Sequence, residues 1–75
     1  MMIGAGMPKQ NCYVVRIVDK TMKQYGLYYD GGMSWVPINK ARNYTYEYVM
    51  HGLSLTEGVH EILKIEPNGS LTFIQ

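Results

Sequence analysis

Cysteine is almost missing from this chain: Cys12 is the single one in 75 residues. No intramolecular disulfide can form, which excludes the framework of a small secreted scaffold, and a reducing, cytoplasmic setting is expected. An excess of charge of one sign is lacking too. Seven Lys and Arg stand against six Asp and Glu, a formal net charge of +1, so no global field draws the chain onto nucleic acid or an anionic membrane. Nowhere is there the run of about 18 apolar residues that a membrane span needs. Met1 to Met7 lacks the basic start and long apolar stretch of a signal peptide. A soluble chain with no membrane partner is expected.

The chemistry-bearing motifs are as sparse. Cys12, His51 and His60 fit no usual metal-ligand spacing, and a lone cysteine inside an apolar run reads as a small core residue before it reads as a nucleophile. Gly4-Ala5-Gly6 and Gly31-Gly32 are not followed by the Gly-Lys-Ser or Gly-Lys-Thr of a phosphate loop. Glu57, Glu61 and Glu66 read as solvated carboxylates. The expectation is therefore a protein that is not an enzyme and holds no cofactor and no metal.

What is present begins with Glu66-Pro67-Asn68-Gly69 between two alternating runs. Proline presets the second position of a type I turn, asparagine tolerates the third, and glycine takes the left-handed residue that follows. The implied hairpin sets Ile65 opposite Leu71, Lys64 opposite Thr72, Leu63 opposite Phe73 and Ile62 opposite Ile74. One face then carries Leu63, Ile65, Leu71 and Phe73, and this is the expected core face. The other carries Lys64, Glu66, Ser70 and Thr72, with Ile62 and Ile74 at its apolar end. A lone hairpin is marginal in water, so the rest of the chain must supply a covering layer.

A length of 75 residues suits one domain with one thin core. Residues 1 to 10, rich in Met, Gly and Ala, read as a flexible segment dispensable for folding, and residues 11 to 75 as the domain. Cys12 to Val18, β-branched and aromatic between polar flanks, predicts a first strand, apolar on both faces as a central strand is. Gln24 to Asp30 alternates as a second, antiparallel strand. Asp30-Gly31-Gly32 is a turn signal, and Met33 to Val36 a short third strand that Pro37 ends or holds at an edge. Thr45 suits a helix N-cap, and Tyr46, Val49, Met50 and Leu53 follow helical spacing, so a helix is expected over residues 45 to 54. A rival start lies at Ser54, where Ser54-Leu55-Thr56-Glu57 fits a capping box. The fold class implied is α+β: a small antiparallel sheet in the order β-β-(β)-α-β-β with one short helix packed on it.

The composition departs from the average in its seven tyrosines against one phenylalanine. About four are expected to pack inward. The others place large contact area and a hydroxyl at the surface, the chemistry of protein interfaces. Tyr28, Trp35, Tyr44 and Tyr48 are the candidate aromatic face. Lys40 and Arg42, interleaved with Tyr44 and Tyr46, are the candidate basic contribution, a pattern also found on single-stranded nucleic-acid platforms.

The run Tyr28-Tyr29-Asp30-Gly31-Gly32-Met33-Ser34-Trp35, with Ile38-Asn39-Lys40-Ala41-Arg42-Asn43-Tyr44-Thr45 after it, resembles a pattern in small phage and prophage proteins. They have two strands, a Trp-containing segment, a Lys-Ala-basic-aromatic element and a capped helix. The group includes anti-CRISPR-like inhibitors of host systems, so the resemblance implies a non-catalytic protein that occludes a partner's surface. Three expectations stand: a protein-binding chain, which the resemblance implies is a phage-type inhibitor, a weak single-stranded nucleic-acid binder, or a structural and homo-oligomerising module.

Overall fold

Five short strands, β1 (Tyr13–Ile17), β2 (Tyr28–Tyr29), β3 (Trp35–Val36), β4 (His60–Ile65) and β5 (Leu71–Phe73), pair antiparallel throughout in the spatial order β3-β2-β1-β4-β5. This computed structural model describes residues 11–75, and the flexible segment expected over residues 1 to 10 lies outside the described residues. The β4–β5 hairpin has the expected register, Leu63 opposite Phe73, Lys64 opposite Thr72 and Ile65 opposite Leu71. Its turn closes as the residues require. The Gly69 amide donates to the Glu66 carbonyl at 2.8 Å and the Glu66 amide to the Ser70 carbonyl at 2.8 Å. Gly69 takes φ 90°, where a side chain costs most.

The other strands are shorter than expected. The second strand, expected over Gln24 to Asp30, narrows to Tyr28–Tyr29, because Asp19 to Gly26 coil through successive turns. The Asp19 carboxylate anchors that coil by accepting from the Thr21 hydroxyl at 2.6 Å and amide at 2.9 Å. The third narrows to Trp35–Val36 and stands at an edge, stopped by Pro37.

The largest correction concerns the helix. Of the residues expected to form it, 46 to 52 are helical, and the last five, Tyr48–Gly52, form a single widened π-type turn. Thr45 does cap it, its Oγ1 accepting from the Tyr48 amide at 3.3 Å. Yet so short a helix has little stability of its own, and Gly52 ends it, with Leu53 already extended at φ −118°. The capping box at Ser54 nucleates nothing longer than a turn over residues 57 to 59, whose Val59 and His60 amides donate to the Thr56 carbonyl. With only the helical turn over residues 46 to 52 and a 3-10 turn at Ile38–Lys40 beside the strands, the regular structure of the described residues is mostly β.

Both faces of β1 are buried, as its sequence implied. On one face Val15, Tyr44, Val49 and Ile62 form the larger core, with Leu53, Leu55 and Ile74 against it. On the other, Val14, Tyr28 and Leu63 pack with Ala41, Ile65 and Leu71. The expected hairpin core face is thereby corrected. Leu63 is buried and Ile65 and Leu71 are half-buried, but Phe73 is 62% exposed, while Ile62, assigned to the polar face, is only 2% exposed. Alternation fixes which residues share a face and not which face the crossing segment covers. That segment, residues 44 to 55, lies on the Ile62 side. On the Leu63 side the sheet carries a cross-strand ion pair, Arg16 with Glu61. Burial alone would lower the Arg16 pKa, but the hydrogen bonds to Glu61 and to the Tyr28 hydroxyl outweigh it, and the net shift is upward.

Candidate binding cleft

After Pro37 the chain makes the 3-10 turn and then runs extended past the mouth of the sheet. There β2 bends away into Asp30, leaving the outer groups of β1 without a strand beside them. Residues 42 to 44 fill that gap. The Arg42 amide donates to the Tyr29 carbonyl at 3.0 Å, the Tyr13 amide to the Tyr44 carbonyl at 3.0 Å and the Tyr44 amide to the Tyr13 carbonyl at 2.7 Å. Three backbone bonds thus fix the loop that carries the candidate residues.

Tyr44 is the most buried ring in a line of aromatic contacts that runs from half-buried His60 and Trp35 to exposed Tyr48. Ring centroids lie 5.7 Å apart from His60 to Trp35, 5.2 Å from Trp35 to Tyr29, 6.3 Å from Tyr29 to Tyr44 and 5.0 Å from Tyr44 to Tyr48. Spacings of this order are those at which aromatic pairs attract beyond their area burial. His60 is itself held by the Thr56 amide, which donates to its Nδ1 at 2.9 Å. At the outer end the Arg42 guanidinium carbon lies 5.9 Å from the Tyr44 ring centroid, within cation–π range. Among the described residues Arg42 has no ion-pair partner.

Around this outer end opens a cleft of about 370 Å³, its walls Asn11, Arg42, Asn43, Thr45 and Tyr48 and its floor Tyr44. Burial first, and the neighbouring Tyr29 next, push the Tyr44 hydroxyl above its ordinary pKa, against the opposing pull of Arg42. The floor is neutral at physiological pH, and Arg42 is the charge the cleft presents. Chemically it can take a planar or apolar group against Tyr48 and an anionic or hydrogen-bonding group against Arg42 and the two asparagines.

Of the candidate residues, Arg42, Tyr44 and Tyr48 converge here. Tyr44 is only 6% exposed, so its part is to support Arg42 and Tyr48 and not to offer an exposed ring, a correction to its expected role. Tyr28, 7% exposed, is corrected outright. It lies on the opposite face of the sheet, where the Arg16 Nη1 donates to its hydroxyl at 3.4 Å. Trp35 is half-buried within the ring line, and Lys40 is exposed at the end of the 3-10 turn, outside the cleft. The expected balance of tyrosines holds, with Tyr13, Tyr28, Tyr29 and Tyr44 inward and Tyr25, Tyr46 and Tyr48 outward, so of the three tyrosines on the candidate aromatic face Tyr48 alone is exposed.

Four lining residues lie outside the sequence's candidates for the cleft: Asn11 and Asn43, whose types signal nothing alone, Thr45, which signals only a helix cap, and Gly31, which signals only a turn. Gly31 takes φ 90°, and a Cβ there would collide with the Arg42 side chain. Gly31→Ala is expected to cost about 1 to 2 kcal/mol through left-handed strain, lowering the melting point by several degrees, and to displace Arg42. Gly32→Ala, in the same turn, meets only the Asp30 carboxylate at 3.5 Å and is expected to melt close to the parent. Thermal melting of the pair checks this.

Cys12 is a half-buried free thiol, and among the described residues no three His, Cys, Asp or Glu side chains gather in a metal-holding group. No helix among them is long and apolar enough to cross a membrane. Compared with family models, curated proteins and solved structures, the chain matches none of them.

Proposed function

We propose that the chain is a small non-enzymatic binding protein of phage type. It acts in the cytoplasm as a stoichiometric inhibitor, anti-CRISPR-like in manner, by seating the Arg42–Tyr48 cleft on a partner protein and occluding the partner's surface. The observation that carries the reading is the Arg42 guanidinium, without an ion-pair partner among the described residues and stacked over a buried, neutral Tyr44, beside a Tyr48 that is 47% exposed. Arginine and tyrosine are the residue types that anchor protein interfaces, and side chains already held in place lose less entropy on binding. Arg42→Ala and Tyr48→Ala are each expected to weaken association by ~2 kcal/mol, roughly 30-fold. Lys40→Ala, outside the cleft, is expected to weaken it by well under tenfold. Titration of the captured partner by calorimetry checks the order.

The nucleic-acid reading is less well supported, because Lys40 stands away from Arg42 and a single cleft cation neutralises few phosphates. Affinity capture from bacterial lysate, with and without nuclease and at two salt concentrations, decides between them. Retention of one protein in fixed stoichiometry through nuclease treatment supports the proposal. Recovery of only nuclease-sensitive material that washes off at the higher salt overturns it.

A further inference from the structure

The two edges of the sheet are unlike. At one edge β3 is two residues long and runs straight into Pro37 and the 3-10 turn, the shortness and proline with which natural sheets blunt an edge. At the other, β5 and its flanks read Ser70-Leu71-Thr72-Phe73-Ile74-Gln75, with no proline and no charge. Its backbone polarity follows from the ladder. The Glu66 amide donates to the Ser70 carbonyl and the Ile74 amide to the Ile62 carbonyl, so Ser70, Thr72 and Ile74 turn their backbone groups toward β4. Leu71 and Phe73 therefore turn theirs outward, and no described residue accepts or donates to them. The Phe73 side chain beside them is 62% exposed.

We propose that β5 pairs antiparallel with β5 of a second copy of this chain about a two-fold axis at Thr72, joining two five-stranded sheets into one of ten. The pairing is self-matching. Leu71 stands opposite the partner's Phe73 and Phe73 opposite the partner's Leu71, and these are the two positions whose amides and carbonyls face outward, so four backbone hydrogen bonds close at once. Thr72 meets its own copy on one face, a favourable cross-strand pair, and on the other each phenyl ring covers a leucine. No charge on residues 70 to 75 sets like against like across the axis. A foreign strand would find the same hydrogen bonds but not this reciprocal side-chain match, which is why the occupant is a second copy. Pairing through one three-residue strand from each copy makes a small contact beside a standard interface of about 800 Å² per partner, so the dimer forms reversibly with concentration.

Sedimentation equilibrium of the full chain over micromolar to millimolar concentration tests this, since the mass should rise from the 8.6 kDa of one chain toward twice that value. Thr72 is exposed and its hydroxyl donates to Glu66 Oε2 at 2.7 Å, so substitutions there remove that surface bond and leave the core intact, and a cooperative melt within several degrees of the parent verifies that each variant is folded. Thr72→Glu places two carboxylates opposite each other at the axis and Thr72→Lys two ammonium groups, and each variant alone should stay at the mass of one chain. An equal mixture of the two should recover the doubled mass. A parent that remains monomeric at millimolar concentration, as it would if the edge serves a foreign strand, overturns the proposal. Dimerisation of Thr72→Glu undiminished also overturns it, because the axis would then lie elsewhere.

Discussion

Tyr44→Ala is expected to cost ~3 to 5 kcal/mol, the range for deleting a buried aromatic ring. In a domain whose total stability is on the order of 5 to 15 kcal/mol that is a large share. The melting point should fall by more than about 10 °C. The reason lies in the ring line: Tyr44 stacks on both Tyr29 and Tyr48 and belongs to the core with Val15, Val49 and Ile62. Loss of capture by this variant therefore reports unfolding, and it is unsuited to testing the cleft. Tyr44→Phe is the control, since it keeps the ring and removes the ionisable group. Burial raises the Tyr44 pKa in the folded chain above its value in the unfolded chain. The resulting contribution is complete below about pH 10 and is lost as pH climbs through the raised folded value. Melting curves across that range should show a shallower alkaline decline for Tyr44→Phe than for the parent.

Ile62→Ala is expected to cost ~2 to 5 kcal/mol, and Phe73→Ala less than ~1 kcal/mol. The contrast separates two readings of one hairpin. By alternation alone Phe73 belongs to the core face and Ile62 to the polar one. In the fold Ile62 sits opposite Val15 on β1 and under the crossing segment, while Phe73 is on the outer strand with nothing beyond it. Denaturant unfolding of the two variants settles the order, and a Phe73→Ala variant less stable than Ile62→Ala would contradict the assignment of the core.

What could be read in the sequence is what short-range chemistry controls. The turn at Pro67 to Gly69, the register it imposes, the turn at Asp30-Gly31-Gly32, the Thr45 cap and the two-sided burial of β1 follow from φ preferences, local hydrogen bonds and period-two patterning. Long-range choices were not legible. Nothing local in residues 45 to 54 says that their apolar groups would be buried by a widened turn and an extended Leu53 in place of a full helix. The choice between the faces of β4 depends on where residues 44 to 55 cross. For the cleft, residue types singled out Arg42 and Tyr48, and both line it, Arg42 from the stretch bonded to Tyr29 and Tyr13 and Tyr48 from the widened turn. They pointed wrongly to Tyr28, because adjacent residues of a strand face opposite sides and Tyr28 takes the side with Arg16.

The central claim is that the cleft binds and the ring beneath it folds, two roles divided between neighbouring residues. The most direct measurement compares the parent with an Arg42→Ala, Tyr48→Ala double variant, by melting and by capture from the same nuclease-treated lysate. The division predicts a double variant that melts within a few degrees of the parent, because both side chains are exposed, and that retains no partner. Full capture by a folded double variant would contradict it.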